Sequence, residues 1–240
     1  MPVVFVHGVP DTQRVWDAVV SRLERKDVVR LWLPGFGCAL PKGFSATKEA
    51  YVGWLLGQLD AVTGPIDLVG HDWGGLLVVR SVSVQPNAVR TWAAGGAPLD
   101  REYVWHQAAQ AWQTPGLGEK AMTGLTPEAL QSALIAAGVP AADAATTAAS
   151  EDATMKQRIL SLYRSAVHAG VEWEDDLRRV SAPGLVLWGE KDPYVSVEFG
   201  ARLAGKTRAR FVSFPGCSHW WQLERPAEVA AELERHWAAG

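Results

Sequence analysis

Short, nearly all-apolar, β-branched runs alternate with helix-length segments along most of this chain, and that alternation constrains its fold more than any other feature. The runs at Val3 to Val6, Val28 to Leu33, Ile66 to Gly70, Val89 to Ala94, Leu185 to Trp188 and Arg210 to Phe214 read as six strands. A strand apolar on both faces needs cover on both sides, and helices crossing between parallel neighbours supply it. The 240 residues suffice for one large α/β domain with a substantial core.

No convincing strand lies between about Pro98 and Val180. Helix signals fill that stretch, among them Thr126-Pro127-Glu128, with Thr as N-cap and Pro at the first helical position. The alanine-rich Ala141 to Ala149 reads as a connection or a short surface helix. The expected organisation is a core of residues 1–97 and 181–240, with residues 98–180 as a helical cap. Ligands of open α/β sheets bind outside the carboxyl ends of the strands, where such an insertion forms a lid.

Four polar motifs fall at carboxyl ends of these strands: His7-Gly8-Val9-Pro10, Gly70-His71-Asp72-Trp73-Gly74-Gly75, Trp188-Gly189-Glu190-Lys191-Asp192-Pro193 and Gly216-Cys217-Ser218-His219-Trp220-Trp221. That is the placement a shared pocket needs. The second motif resembles the nucleophile elbow of the α/β-hydrolase family, Gly-x-nucleophile-x-Gly, with Asp72 where many members carry serine. The family order of nucleophile, acid, histidine then makes Asp192 the orienting acid and His219 the base. The resemblance implies an α/β-hydrolase fold with a mostly parallel sheet flanked by helices. Only six residues precede His7, so the sheet is expected to be shortened to about six strands. The usual alternative acid position, after the fourth strand, reads Gly95-Gly96-Ala97 and holds no carboxylate.

The chemistry of the nucleophile narrows the branch. Serine displacing a group from saturated carbon would leave an ether that water does not readily cleave, whereas aspartate leaves an ester that His219-activated water can hydrolyse. The backbone N–H groups of Val9 and Trp73 are the expected oxyanion donors. The resemblance therefore points to the aspartate branch, epoxide hydrolases first and haloalkane dehalogenases second. A third reading, from another class, is a small-molecule-binding protein of this fold without turnover.

The leaving group separates the two enzymes. A halide needs N–H donors, while an epoxide oxygen becomes a basic alkoxide and needs an acid such as tyrosine, with a pKa of about 10. Trp73 serves either reading. Ser161-Leu162-Tyr163-Arg164 resembles the lid segment that carries a ring-opening tyrosine in epoxide hydrolases, and Tyr163 precedes Asp192 by 29 residues. Tyr103 is the candidate for a second phenol, since Tyr51 and Tyr194 fall outside the lid. A dehalogenase would need a lid tryptophan such as Trp105, Trp112 or Trp173. His7, Pro10, Trp105, Trp112 and Trp220 complete the candidates for contact with substrate, although His7 and His71 also read as histidines that position the turn backbones.

The remaining composition excludes more than it assigns. A net charge of -3 without long like-charged runs speaks against nucleic acid or an anionic membrane as partner. Cys38 and Cys217 lack metal-type spacing, the acids and histidines form no ligand cluster, and no phosphate-cradling glycine loop occurs, so neither metal nor cofactor is expected. The expected partners are a small apolar organic substrate and water, with a homodimer left open. With neither a leader pattern nor a long apolar stretch, the chain reads as cytoplasmic.

Overall fold

The computed structural model describes residues 1–240. Six strands, β1 (Val3–Val6), β2 (Val28–Leu31), β3 (Asp67–His71), β4 (Thr91–Gly95), β5 (Gly184–Gly189) and β6 (Arg210–Phe214), pair in parallel in the order β2-β1-β3-β4-β5-β6. All six runs expected from the sequence are present. The chain leaves β1 toward β2 on one side and returns to add β3 on the other, so the strand order reverses at β1 and β3. Crevices form at such reversals. Here the register Val6↔Gly70 brings the loops after β1 and β3 side by side.

Every residue of β1, β3 and β4 is buried, and alternate side chains feed two different cores. Val4, Val6, Leu68 and Val186 face one cluster, while Val3, Phe5, Val69, Leu185 and Leu187 face the other. Helices α1 (Asp17–Val20), α2 (Lys48–Asp60) and α3 (Trp73–Val84) flank the first half of the sheet. Between β4 and β5 the structure is helical: α4 (Gln107–Gln113), α5 (Leu117–Gly124), α6 (Pro127–Ala136), α7 (Ala141–Ala148), α8 (Ala153–Ser165), α9 (Ala169–Trp173) and a 3-10 segment, Glu174–Arg179. Helices α10 (Val197–Thr207), α11 (Trp221–Glu224) and α12 (Pro226–Ala239) complete the second half.

Local chemistry explains several boundaries. Thr126 Oγ1 accepts from Ala129 N (3.2 Å) ahead of Pro127, and Asp152 Oδ1 accepts from Met155 N (2.7 Å), so α6 and α8 begin on side-chain caps. The alanine-rich 141–148 stretch is helical, with Ala144 and Ala148 buried.

The helices over the sheet share its cores. Met155, Ile159 and Leu162 of α8 belong to one cluster, while Leu130 and Leu134 of α6 and Ala144 of α7 belong to the other. The insertion thus bridges both faces above the carboxyl ends of the strands. No helix is long and apolar enough to cross a membrane.

Candidate active site

Asp72 stands between β3 and α3 with φ 54° and ψ -123°, a backbone conformation uncommon for a residue carrying a side chain. Two glycines make this turn possible. A Cβ on Gly70 would lie 2.3 Å from the Gly74 carbonyl oxygen, and one on Gly74 would lie 2.3 Å from that of Val6. Helix α3 can therefore leave β3 sharply and pack against β1, which lifts the carboxylate out over the sheet edge. Asp72 N donates to Gly95 O (2.9 Å) and anchors the turn to β4.

The carboxylate is shared between two partners. Val9 N donates to Asp72 Oδ1 (2.7 Å), and Asp72 Oδ2 lies 3.6 Å from His219 Nε2. The Trp73 N–H, the second expected oxyanion donor, opens α3 and makes no hydrogen bond to the carboxylate. On the far side of the imidazole, His219 Nδ1 meets Asp192 Oδ2 at 2.6 Å. Asp192 Oδ1 is held by the N–H groups of Tyr194 (2.8 Å) and Val195 (2.9 Å), so the acid is oriented by its own loop. Ser218 N and Oγ both donate to Glu224 Oε1, and His71 Nε2 donates to His219 O (2.9 Å), which fixes the histidine loop from behind.

These three residues share one cavity of about 320 Å³ or border it, and 17 of its 22 lining residues are hydrophobic. A carboxylate on a strained turn, a carboxylate-oriented imidazole and an apolar enclosure are an arrangement able to support hydrolysis. The alpha/beta hydrolase family model matches residues 3–232.

The chain belongs to the alpha/beta hydrolase family. Its relatives include epoxide hydrolase A of Mycobacterium tuberculosis, 26% identical over 294 residues, covering 96% of this chain and 88% of that protein. The (E)-2-((N-methylformamido)methylene)succinate hydrolase of Acinetobacter baylyi is 22% identical over 223 residues, covering 86% of this chain and 78% of that one. Among solved structures, a meta-cleavage product hydrolase of Pseudomonas fluorescens superposes with a TM-score of 0.83 at 19% identity, covering 100% of this chain and 91% of that one. These likenesses span different hydrolase chemistries, so they establish the family and fold and leave the reaction to the site.

The electrostatics of the hydrolase follow from burial and pairing. Burial would lower the pKa of His219, but the carboxylates of Asp192 and Asp72 outweigh it and raise the value to about 10. Burial likewise acts to raise that of Asp72; hydrogen bonding to His219 and its charge prevail and hold the carboxyl below its ordinary range. At rest the pair is an imidazolium between two carboxylates.

The structure brings nearly all the sequence candidates to this cavity. Val9, Pro10, Trp73, Tyr103, Trp105, Trp112, Tyr163 and Trp220 line it. Trp73 and Trp105 stack with centroids 5.9 Å apart, and Tyr163 stands edge-on to both and to Trp112. The Trp73 indole N–H is buried without a hydrogen-bond partner of good geometry, with the Tyr163 hydroxyl as its polar neighbour.

Three expectations change. His7 does not contact the cavity: its Nδ1 donates to Gly8 O (2.9 Å) and its Nε2 accepts from Leu33 N (3.0 Å), so both ring nitrogens serve backbone. Burial lowers its pKa to about 4, which keeps it neutral. Trp173 is not a pocket tryptophan either; it is buried in the core, with Lys48 and Arg80 against its ring. Tyr194, set aside as lying outside the lid, lines the cavity from the acid loop.

Sequence reasoning also missed Asp11 and His106. Asp11 is fully buried and accepts from Trp220 Nε1 (2.9 Å) and from Thr147 Oγ1 of α7 (3.4 Å), joining the β1 loop, the histidine loop and α7. Burial pushes its pKa up to about 7. His106 caps α4 by accepting from Ala109 N (3.3 Å) and lines the cavity beside Tyr194. The position of Asp11 directly after His-Gly-Val-Pro was the only local signal for it; nothing in the sequence marked His106.

Proposed function

We propose that this hydrolase opens epoxides to vicinal diols through a covalent ester on Asp72. The observation that carries the reading is the divided carboxylate of Asp72. One oxygen rests on the Val9 N–H while the other lies toward His219 and the cavity, with Tyr163 among the residues lining the same space.

In the first step the Asp72 carboxylate forms a bond to an epoxide carbon as the ring C–O bond breaks, and the electron pair moves to the ring oxygen. The Tyr163 phenol gives that oxygen a proton. Burial and the nearby Asp72 charge raise the Tyr163 pKa well above its ordinary value, so the phenol is protonated at rest and available as a donor.

Ester formation removes the negative charge of Asp72. The His219 imidazolium then loses one of its two carboxylate partners, its pKa falls, its Nε2 proton passes through solvent to the Tyr163 phenolate, and the neutral ring takes a proton from water. Hydroxide attacks the Asp72 carbonyl, whose oxyanion the Val9 and Trp73 N–H groups would stabilise. Collapse releases the diol as its alkoxide oxygen takes the proton held by His219, and the proton freed when Asp72 returns to carboxylate restores the His219 imidazolium. Seventeen apolar lining residues suit a hydrophobic epoxide of small to moderate size.

A specific observation favours haloalkane dehalogenation as the second reading. The unpartnered Trp73 indole N–H, with Trp105 stacked beside it, would suit a departing halide. Incubation with an epoxide panel and a haloalkane panel, followed by mass measurement of the Asp72 peptide, tests both. An ester and diol from epoxides alone supports the first reading, and an ester and alcohol from haloalkanes alone the second. Neither ester nor turnover on either panel would favour a binding role without catalysis.

A further inference from the structure

Tyr194 is a cavity phenol that these steps leave unused. It follows Asp192-Pro193 at the carboxyl end of β5, and its backbone is tied at both ends. Its N–H donates to Asp192 Oδ1 (2.8 Å), and its carbonyl accepts from the Tyr103 hydroxyl (3.2 Å). The ring stands edge-on to His219 (centroids 5.3 Å, 84°) and to Trp220 (5.9 Å, 86°), with the His106 ring 4.9 Å away. Three aromatic neighbours and a pinned backbone hold this side chain in place, yet its hydroxyl makes no hydrogen bond within the protein.

Tyr103 differs in the respect that matters. Its hydroxyl proton is already directed to a backbone carbonyl, and its ring packs edge-on against Trp105 (5.4 Å) and Phe199 (5.4 Å). To hydrogen-bond a substrate oxygen it would have to leave that acceptor unsatisfied. The Tyr194 hydroxyl carries no such cost.

We infer that Tyr194, rather than Tyr103, supplies the second phenol that holds the leaving oxygen during epoxide opening, while Tyr103 positions it. The inference rests on the epoxide reading above. The bond changes are those already given: Asp72 oxygen bonds to carbon, the ring C–O bond breaks, and its electron pair passes to the oxygen that Tyr163 protonates. Tyr194 donates a hydrogen bond to the same oxygen and keeps its proton. Burial and the neighbouring carboxylates of Asp192 and Asp72 raise the pKa of Tyr194, consistent with a donor that stays protonated. Tyr103 acts one step removed, tying the start of the cap to the acid-loop carbonyl from which the Tyr194 ring projects.

Replacement of Tyr194 by Phe isolates the hydroxyl, because both ties of this residue are made by its backbone and its ring is retained. Single-turnover reaction with styrene oxide resolves the steps, with ester formation read by mass and tryptophan fluorescence and ester hydrolysis by diol release. Tyr194→Phe should slow ester formation on the order of 10²-fold and leave ester hydrolysis unchanged, while Tyr103→Phe should slow ester formation less than about tenfold. Ester formation at the wild-type rate in Tyr194→Phe, or slowing confined to hydrolysis, would overturn the inference alone. A wild-type enzyme that forms no ester with styrene oxide or any other epoxide of the panel would overturn the epoxide reading and this inference with it.

Discussion

His219 Nε2 lies 3.6 Å from Asp72 Oδ2, close enough for ion pairing and, in the proposed reaction, with room for the imidazole to serve first the carboxylate and then the water that would cleave its ester. The second contact of the ring, 2.6 Å to Asp192, is the shorter and does not depend on the charge of Asp72. The imidazole would therefore remain oriented once Asp72 became an ester in the proposed reaction.

Replacing His219 by Gln should block only the second half of the reaction. Mass spectrometry of the protein after incubation with a turned-over substrate should show about one equivalent of alkyl adduct on the Asp72 peptide, with steady-state turnover reduced by at least roughly 10³-fold. An unmodified Asp72 in that variant, with substrate present, would count against the ester.

The raised pKa of His219 sets a pH window. Its folded value of about 10 exceeds the ordinary 6.5, so the folded state binds this proton more tightly. The resulting stability is fully present below about pH 6.5 and is lost as pH rises through about 10. In Asp72→Asn one of the two carboxylates is gone. The midpoint of the His219 ring proton in an NMR titration should fall by about one pH unit or more, and the alkaline loss of thermal stability should begin correspondingly earlier. An unchanged midpoint would mean that Asp192 alone sets the charge of the imidazole.

Tyr163 and Trp73 should respond to different leaving groups. Tyr163→Phe should reduce epoxide opening about 10²- to 10⁴-fold, the usual worth of a general acid, with little effect on halide release. Trp73→Phe removes the unpartnered indole N–H and should weaken halide binding more than epoxide turnover. Equal, small effects of Tyr163→Phe on both substrate panels would remove it as the acid.

Gly8 tests how closely the first loop approaches the nucleophile. A Cβ there would lie 2.2 Å from Asp72 Oδ1, so Gly8→Ala should push the carboxylate off the Val9 N–H. Turnover should drop on the order of 10²-fold or more, because the oxyanion site moves with it. Far-ultraviolet circular dichroism should stay near that of wild type. Full activity in this variant would show that the donor at Val9 is dispensable.

Asp11 offers a stability test away from the chemistry. Its folded pKa of about 7 lies above the ordinary 3.8, so the folded protein retains a proton that the unfolded chain releases. Stability is therefore lost as pH rises from about 4 through 7. Asn does not titrate and can still accept from Trp220, so Asp11→Asn should gain over wild type between pH 5 and pH 8, by roughly 5 °C in Tm for a chain of this size. A constant difference across that range would show that Asp11 does not carry the proton.

Much of this molecule was legible in the residues, and for identifiable reasons. The strands around Val3–Val6 and Asp67–His71 are apolar on both faces because both faces are covered, and that leaves a pattern in the chain itself. Asp72 could be located because an elbow that bends this sharply requires Gly70 and Gly74 at fixed offsets. Tyr194 lies outside the segment between β4 and β5, yet two positions beyond Asp192 it reaches the cavity from the acid loop, a placement that no local pattern marks. Trp173 and Trp105 both lie between β4 and β5 with nothing local to distinguish them; packing sent one into the core against Lys48 and Arg80 and the other onto Trp73.

The sequence by itself determined the parallel sheet, the helical insertion and the order in which a carboxylate, an acid and a histidine leave the strand ends. Those properties follow from local periodicity and from turn chemistry that only certain residues permit. The tertiary structure alone decided which aromatic groups surround Asp72, that His7 spends both ring nitrogens on backbone, and that Asp11 joins α7 to the histidine loop. Each of these depends on contacts between residues far apart in the chain, where close packing selects one arrangement and no short-range pattern records it.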